Sequence, residues 1–257
     1  ALLFGGEAKA PQEKVSFLGI PVHNLTMSDV IEKILDFTET EGQKQISFVN
    51  ADCYNIAQRD SEYKRILQSS ELTLADGIGV KLAGKLLGRL IRQNVNGTDL
   101  FPRLCQALEG TGKRLFLLGA RPEVAEGVRA WVAERYPSVN IVGVQHSYYD
   151  KSAEGEVIHS IRESEADILL VAFGAPHQER WIAEHLTETG AKVALGVGGL
   201  FDFYSGRISR APQWMREIGM EWFYRFLQEP RRMWRRYFVG NFVFLYHILM
   251  ARLRGVE

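Results

Sequence analysis

The chain has 257 residues, of which 46% are hydrophobic, and its 31 basic residues balance its 31 acidic residues. A chain of this length and composition can bury a full hydrophobic core, which excludes an intrinsically disordered protein. Its two cysteines, Cys53 and Cys105, are too few for a disulfide framework and indicate a reducing compartment.

The first 13 residues are set apart from the rest of the chain. They begin without an initiator Met and lack the charged start and long apolar run of a signal peptide. We predict that residues 1–13 are a ragged or processed N-terminus outside the fold.

Apolar runs alternate with amphipathic stretches along residues 14–210. The predicted strands, in chain order, are VSFLGI, QISFVN, LTLADG, RLFLLG, NIVGVQ, DILLVAFG and KVALGVG. Helical patterns such as TMSDVIEKILDFTE and RPEVAEGVRAWVAERYP lie between them. This alternation predicts a doubly wound, Rossmann-like α/β domain: a mostly parallel sheet with helices on both faces. Strands without period-two alternation, such as DILLVAFG, are typical of strands buried on both sides.

Residues 211–257 are predicted to form a helical appendage rich in arginine and aromatic residues. Residues 225–257 contain seven arginines and two glutamates, which give a net charge of about +5. The longest uncharged run, residues 237–251, has 15 residues, whereas a membrane-spanning helix needs about 20. The pattern favours a helix lying in the membrane interface; the alternative is an ordinary helix packed on the core.

Polar residues and glycines follow the predicted strands. In open α/β sheets, ligands bind beyond the carboxyl ends of the strands. The glycines and helix N-termini expected there suit a nucleotide diphosphate. The candidate residues at these positions are Asn50, Asp52, Asp76, Gly119, Gly174, Gln178, Glu179, Gly198 and Asp202.

Several standard motifs are absent. GTGKR at residues 110–114 precedes a strand and is no P-loop, and no GxGxxG fingerprint occupies the first βα turn. The histidines are scattered, without HExxH or a Cys/His cluster. We therefore expect no tightly bound metal and no other cofactor.

Asp76 is the carboxylate best placed for chemistry. It follows a strand and precedes Gly77, so its side chain can project into the crevice and act as a general base. The structural alternative is a cap of the next helix. Gln178 and Glu179 have a similar alternative, because Glu near a helix start interacts favourably with the helix dipole.

A series of motifs extends along nearly the whole chain, about residues 15–240. They are ADGIGV, NGTDL, LFLLGARPEVAE, DILLVAFGAPHQERW, GVGGLFDFYSGRISRAPQW and GMEWFYRFLQEPRRMWRR. In order and spacing this series resembles the WecG/TagA/CpsF family of bacterial glycosyltransferases.

The resemblance implies an inverting, metal-independent transferase. Such an enzyme moves a sugar, typically N-acetylmannosamine, from a UDP donor to a polyprenyl-diphosphate-linked GlcNAc acceptor. It implies a peripheral protein at the cytoplasmic face of the plasma membrane, whose C-terminal appendage docks on the bilayer and completes the active site with arginines.

The resemblance also implies roles for individual residues. Asp76 becomes the general base, while Gln178 and Asp202 fall on motifs that contact the donor. The implied phosphate-binding set is Arg210, Arg225, Arg231, Arg232, Arg235 and Arg236.

The sequence departs from the family pattern near the expected sugar site. Asn50 and Asp52 stand where many members have a Thr-x-Asn pair, and His177 replaces a common Lys. UDP-glucose or another UDP-hexose, used for an exopolysaccharide, is therefore an alternative donor. Asp52 also adds a second carboxylate that competes with Asp76 for the role of base.

Three other classes of protein fit the sequence less well. A nucleotide-dependent oxidoreductase would share the fold but lacks the phosphate fingerprint. A nucleic-acid-binding protein is disfavoured because the positive charge is confined to one terminus. A non-catalytic membrane scaffold would not need Asp76 and Gln178 in the crevice. The exposed aromatic residues of the appendage leave self-association into a homo-oligomer open.

Overall fold

The computed structural model describes residues 13–254, except for the side chain of Arg232. The predicted N-terminal segment thus lies outside the described residues but for its last position. The chain begins with two short strands, β1 (Lys14–Phe17) and β2 (Ile20–His23), which pair antiparallel.

The hairpin corrects one prediction. VSFLGI was expected to be one strand of the parallel sheet, but the chain reverses at Leu18 and Gly19, where φ is 51° and 78°. The two halves form a separate two-stranded sheet. The apolar run resembled a buried strand because the hairpin packs Val15, Phe17 and Ile20 into the core.

The remaining six strands form one parallel sheet, in the order β4-β3-β8-β7-β5-β6. Each coincides with a predicted strand, so the predicted α/β fold class is confirmed. Their bounds are β3 (Lys44–Val49), β4 (Leu72–Ala75), β5 (Arg114–Gly119), β6 (Asn140–Gln145), β7 (Ile168–Ala172) and β8 (Val193–Gly196).

Helices cover both faces of this sheet. Alternate residues of a strand point to opposite faces, so Leu115 and Leu117 lie in one core cluster while Phe116 and Leu118 lie in another. The helices of the α/β part are α1 (Met27–Glu39), α2 (Ala51–Ala57), α3 (Ser61–Ser69), α4 (Ile78–Leu86), α5 (Gly97–Leu108), α6 (Pro122–Arg135), α7 (Glu154–Glu163), α8 (His177–Thr189) and α9 (Leu200–Tyr204).

The chain continues into the C-terminal helices, a name we use for α10 to α13. Their bounds are α10 (Gln213–Glu217), α11 (Glu221–Gln228), α12 (Pro230–Trp234) and α13 (Gly240–Arg254), with a π-helical turn at Arg235–Val239 between the last two. Within residues 13–254, no helix is both long enough and apolar enough to cross a bilayer.

One face of α13 belongs to the hydrophobic core. Phe244 and Ile248 are each only 1% exposed, in the cluster that also holds Tyr54 of α2 and Val80 of α4. The rings of Phe244 and Tyr54 lie 5.4 Å apart, and the Asn55 amide donates to the carbonyl of Gly240 over 2.7 Å. The α/β part and the end of the chain therefore share one core.

This packing predicts unequal effects of two substitutions in α13. Phe244→Ala should lower the free energy of unfolding by about 3–5 kcal/mol, because it removes a buried ring and leaves a cavity. Phe242→Ala is the matched control: that ring is 74% exposed, and its removal should cost about 0.5 kcal/mol or less. Urea unfolding measures both; equal losses would contradict this account of the packing.

Candidate active site

A cavity of about 560 Å³ lies at the carboxyl ends of β3 and β4. One wall comes from the residues that follow these strands, including Asn50, Asp52 and Asp76. The opposite wall comes from the C-terminal helices and includes Arg225 and Arg236. The cavity therefore exists only where the end of the chain closes over the sheet.

The backbone around Asp76 aims its side chain into this cavity. Its N–H donates to the carbonyl of Val49 at 2.9 Å, which extends the pairing of β4 with β3 by one residue. Gly77 then adopts a φ of 96°, and its N–H donates to Oδ1 of Asn94 at 2.6 Å. A side chain at Gly77 would be strained, so this turn explains the Asp-Gly pair.

The environment of Asp76 favours the protonated carboxyl. Withdrawal from bulk water raises the pKa of Asp76 to about 6, and the charges of Glu221 and Asp99 act in the same direction. The charge of Arg236 and a hydrogen bond from Asn50 oppose this shift of the pKa. The result is a carboxyl that changes its charge close to neutral pH.

Asn50 connects Asp76 to the start of α2. Its Oδ1 caps the helix by accepting from the N–H groups of Asp52 and Cys53, at 3.1 and 3.3 Å. With that oxygen engaged, the amide nitrogen is the group left to donate to Asp76. The cap thus fixes the orientation of the side chain that hydrogen-bonds the carboxylate.

Arg236 brings a positive charge to the same place. It lies in the π-helical turn, and its Nε is 3.5 Å from Oδ2 of Asp52. Tyr237, the next residue, also lines the cavity. π-helical turns occur often at functional sites, and this one presents two polar side chains to the cavity.

Arg225 connects the cavity to the loop after β8. Its guanidinium lies over the ring of Phe203, 4.9 Å from the centroid, and its Nε is 3.9 Å from Oε2 of Glu229. A Cβ added at Gly199 would lie 2.8 Å from its Nη2. The guanidinium of Arg225 therefore lies against the backbone at Gly199 and would have to shift if position 199 carried a side chain.

Gln178 and Glu179 are buried and do not line the cavity. Gln178 Oε1 accepts from the N–H groups of Gly174 at 3.0 Å and Gly198 at 2.8 Å. Its Nε2 donates to Oε1 of Glu179 at 2.7 Å. Gln178 therefore fastens the loop after β7 to the loop after β8, and Glu179 sets the direction of its amide.

Glu179 is fully buried, and its Oε2 has no hydrogen-bond partner among the described residues. Burial raises the pKa of Glu179 to about 7, although hydrogen bonds from Gln178 and the backbone act to lower it.

The other predicted site residues lie away from the cavity. Asp202 pairs with Arg207 and Arg210 pairs with Asp99, each at 2.7 Å, and Gly119 packs against the backbone of Ala172. Arg231 is exposed on α12 and Arg235 is exposed in the π-helical turn, and the side chain of Arg232 is outside the described residues. Their roles in substrate binding stay predictions.

Several cavity residues escaped the sequence analysis. They are Asn94, Asn96, Arg216, Glu221 and Tyr237. Asn96 starts the motif NGTDL, and its side chain caps α5 by accepting from the N–H of Asp99 at 2.7 Å. Glu221 lies within the motif GMEW, and Arg216 lies between the motifs RAPQW and GMEW, so the sequence pattern does not show that both side chains reach the cavity.

Asp99, which lines the cavity, lies close to two arginines, of which Arg216 also lines the cavity. Its Oδ1 is 2.7 Å from Nη2 of Arg210 and 3.6 Å from Nη1 of Arg216. Burial acts to raise the pKa of Asp99, but hydrogen bonds from Asn96 and Arg210 and the charges of both arginines lower it overall. Among residues 13–254, no group of three or more His, Cys, Asp or Glu side chains is placed to hold a metal ion.

The raised pKa of Glu179 predicts an unusual dependence of stability on pH. A pKa raised from 4.5 to about 7 means that the folded state binds this proton more tightly than the unfolded chain. The contribution of Glu179 to stability is therefore full below about pH 4.5 and is lost as the pH rises through 7. Relative to Glu179→Gln, the wild type should lose on the order of 3 kcal/mol between pH 4.5 and pH 8.

Urea unfolding of both proteins across this pH range measures the difference. Glu184→Gln, on the exposed side of α8, is the control and should follow the wild type. Parallel pH profiles of the wild type and Glu179→Gln would contradict the raised pKa.

Comparison with known proteins agrees with the motifs. The profile of the glycosyl transferase WecG/TagA/CpsF family matches residues 15–257. A protein of Bacillus subtilis (strain 168) is 33% identical over 221 residues, which cover 84% of this chain and 85% of that protein. One of Staphylococcus aureus (strain MRSA252) is 29% identical over 248 residues, 96% of each chain.

Both relatives have the same name, N-acetylglucosaminyldiphosphoundecaprenol N-acetyl-beta-D-mannosaminyltransferase. The family profile covers nearly the whole chain, and the relatives align over most of their own length. The chain therefore belongs to the glycosyl transferase WecG/TagA/CpsF family, and it is a glycosyltransferase.

Proposed function

We propose that the protein transfers N-acetylmannosamine from UDP to a polyprenyl-diphosphate-linked GlcNAc acceptor, with inversion and without a metal. The observation that carries this proposal is the meeting of Asp76 with Arg225 and Arg236 in one cavity. A base for an acceptor hydroxyl and cations for a leaving diphosphate are the two groups such a transfer needs. The names of the relatives support the choice of sugar and acceptor.

Asp76 acts as the general base. The acceptor oxygen attacks the anomeric carbon while the bond from that carbon to UDP breaks, and the bonding electrons leave with UDP. The Asp76 carboxylate takes the proton of the attacking hydroxyl. A single displacement of this kind inverts the anomeric centre. The hydrogen bond from Asn50 holds the carboxylate in place for this step.

Positive side chains stabilise the leaving group. Negative charge grows on UDP as the bond breaks, and guanidinium groups can bind phosphate oxygens with two parallel hydrogen bonds. Arg216, Arg225 and Arg236 line the cavity, together with Lys81. With these cations in place, the reaction does not require a metal ion to neutralise the diphosphate.

Asp52 has a different role from Asp76 in this proposal. Its carboxylate lies 3.5 Å from Nε of Arg236, so its charge is already partnered by a guanidinium. Among the described residues, Asp76 has no such direct ion pair, which favours its contact with the acceptor hydroxyl. We assign Asp52 to the positioning of Arg236 and Asp76 to proton transfer.

We propose that the enzyme is a peripheral protein at the cytoplasmic face of the plasma membrane and that the C-terminal helices contact the bilayer. Along α13, Phe242, Tyr246, Leu249 and Leu253 are all more than half exposed. Two arginines near its end, Arg252 and Arg254, are exposed as well. Aromatic and aliphatic side chains beside arginines suit the headgroup region, where the acceptor diphosphate lies.

Asp76→Asn should lower kcat by about 100- to 10,000-fold, because the amide cannot accept the proton. UDP should still raise the Tm of the variant, since the phosphate-binding cations remain. Asp52→Asn is the matched comparison and should retain more activity than Asp76→Asn. An inactive Asp52→Asn beside an active Asp76→Asn would reverse the two assignments.

The pH profile provides an independent test of the base. The deprotonated form of Asp76 is the active one, so kcat should fall as the pH drops through about 6, the pKa of its carboxyl. Steady-state rates from pH 5 to 8 measure this. A rate that is flat across the range would contradict the assignment.

Arg236→Gln should lower kcat by about 100-fold or more, since a cation that stabilises the leaving diphosphate is lost. Arg103→Gln, an exposed arginine of α5, is the control and should leave kcat unchanged. If Arg236→Gln kept full activity, as the control does, Arg236 would have no role in catalysis.

Mass spectrometry of the product identifies the donor. The protein is incubated with a short-chain GlcNAc-diphospho-lipid and either UDP-N-acetylmannosamine or UDP-glucose. We expect a mass gain of one N-acetylhexosamine from the first donor only. A gain of one hexose from the second would support the alternative donor suggested by Asn50, Asp52 and His177.

A further inference from the structure

The exposed face of α4, in the α/β part of the protein, combines apolar and basic side chains. Ile78, Leu82 and Leu86 recur at every fourth position and are 51%, 47% and 40% exposed. Lys81 and Lys85 lie between them and are also exposed. The opposite face packs on the core through Val80, Ala83 and Gly84. The apolar residues of the outer face are therefore not needed to hold the helix on the protein.

The two sequence segments that carry α4 and α13 are basic. Residues 77–98 contain Lys81, Lys85, Arg89 and Arg92 but neither Asp nor Glu. Residues 240–254 of α13 likewise contain no acidic residue. Exposed lysines and apolar side chains on such segments suit anionic lipid, because each Lys or Arg near a negatively charged surface adds attraction.

α4 and α13 form one continuous surface. Arg252 of α13 donates from Nη1 to the carbonyl of Leu86 at 2.9 Å, which joins the ends of the two helices. Phe244 and Ile248 of α13 lie in the same core cluster as Val80 of α4. We call this the α4–α13 surface; its exposed apolar residues are Ile78, Leu82, Leu86, Leu90, Phe242, Tyr246, Leu249 and Leu253.

The cavity opens beside this surface. Ile78, Lys81 and Leu82 line the cavity, and Ile78 follows Asp76 by two residues. Ile78 also touches the loop after α10, since a Cβ added at Gly219 would lie 2.6 Å from its Cδ1. One row of side chains thus borders both the reacting carboxylate and the outside of the protein.

We propose that α4 is a second lipid-contacting element, and that an anionic bilayer surface is the partner of the α4–α13 surface. Leu82, Leu86 and Leu90 enter the headgroup region, and Lys85 binds lipid phosphates. The cavity then faces the bilayer, so an acceptor anchored by its polyprenyl chain reaches Asp76 without leaving the membrane. This inference rests on the proposed function.

The test uses the full chain with residues of α4, and of the segment directly after it, that do not line the cavity. The variants are Leu86→Ser combined with Leu90→Ser, and Lys85→Gln alone. Binding is measured by sedimentation with vesicles of phosphatidylglycerol and phosphatidylcholine, and with phosphatidylcholine alone. We expect the double variant to bind mixed vesicles about tenfold more weakly and Lys85→Gln about fivefold more weakly.

Matched controls come from the opposite edge of the sheet. Tyr148 follows β6 and is 66% exposed, and Lys151 is exposed nearby. Tyr148→Ser and Lys151→Gln should bind the mixed vesicles like the wild type. Because Lys85→Gln changes only a surface charge, it keeps the test decisive even if the double variant folds poorly.

Two readouts separate this inference from the proposed function. Transfer to a water-soluble acceptor analogue reports the reaction, and vesicle sedimentation reports the α4–α13 surface. Full vesicle binding by both α4 variants would overturn the role of α4 while leaving the transferase standing. No transfer by the wild type, with vesicle binding that depends on α4, would overturn the transferase alone. If the wild type did not bind anionic vesicles, the proposal that the α4–α13 surface contacts the membrane would be wrong.

Discussion

The packing of α13 onto α2 and α4 is the constraint on which the site depends. Phe244 and Ile248 fill the same core cluster as Tyr54, so the end of the chain is held by the core of the α/β part. That anchor sets the position of the π-helical turn, which in turn brings Arg236 to Asp52. The packing that holds α13 on the core therefore also positions Arg236 at the carboxyl ends of β3 and β4.

The electrostatics of the cavity reflect a balance between carboxylates and guanidiniums. Asp99 and Asp52 each have an arginine within 3.5 Å or less, whereas Asp76 is influenced by Arg236 without being its direct partner. Withdrawal from water can then dominate, and the pKa of Asp76 rises to about 6. The proposed base is thus the carboxylate that the arginines leave available.

The hydrogen-bond network of Gln178 shows why a motif does not reveal the role of each residue. Both Gln178 and Glu179 were expected to contact the substrate, because they follow a strand in a glycine-containing loop. In the structure, Gln178 joins the N–H groups of Gly174 and Gly198, and Glu179 is buried beside it, while their contact with the substrate stays a prediction. These buried side chains hold the loops after β7 and β8 together near the site. A recurrent motif indicates that a residue matters, and only the neighbours show whether it contacts the substrate or the backbone.

The sequence by itself determined the parallel sheet, the alternation of helices and the family, because apolar periodicity and local motifs depend on residues close together in the chain. It also singled out Asp76, since a carboxylate between a strand and a glycine is defined locally. The prediction of a single strand over VSFLGI was wrong, because a turn within this apolar run reverses the chain. Only the tertiary structure decided which arginines face Asp76. Arg225 and Arg236 line the cavity while Arg210 pairs with Asp99, because these contacts join residues more than a hundred positions apart.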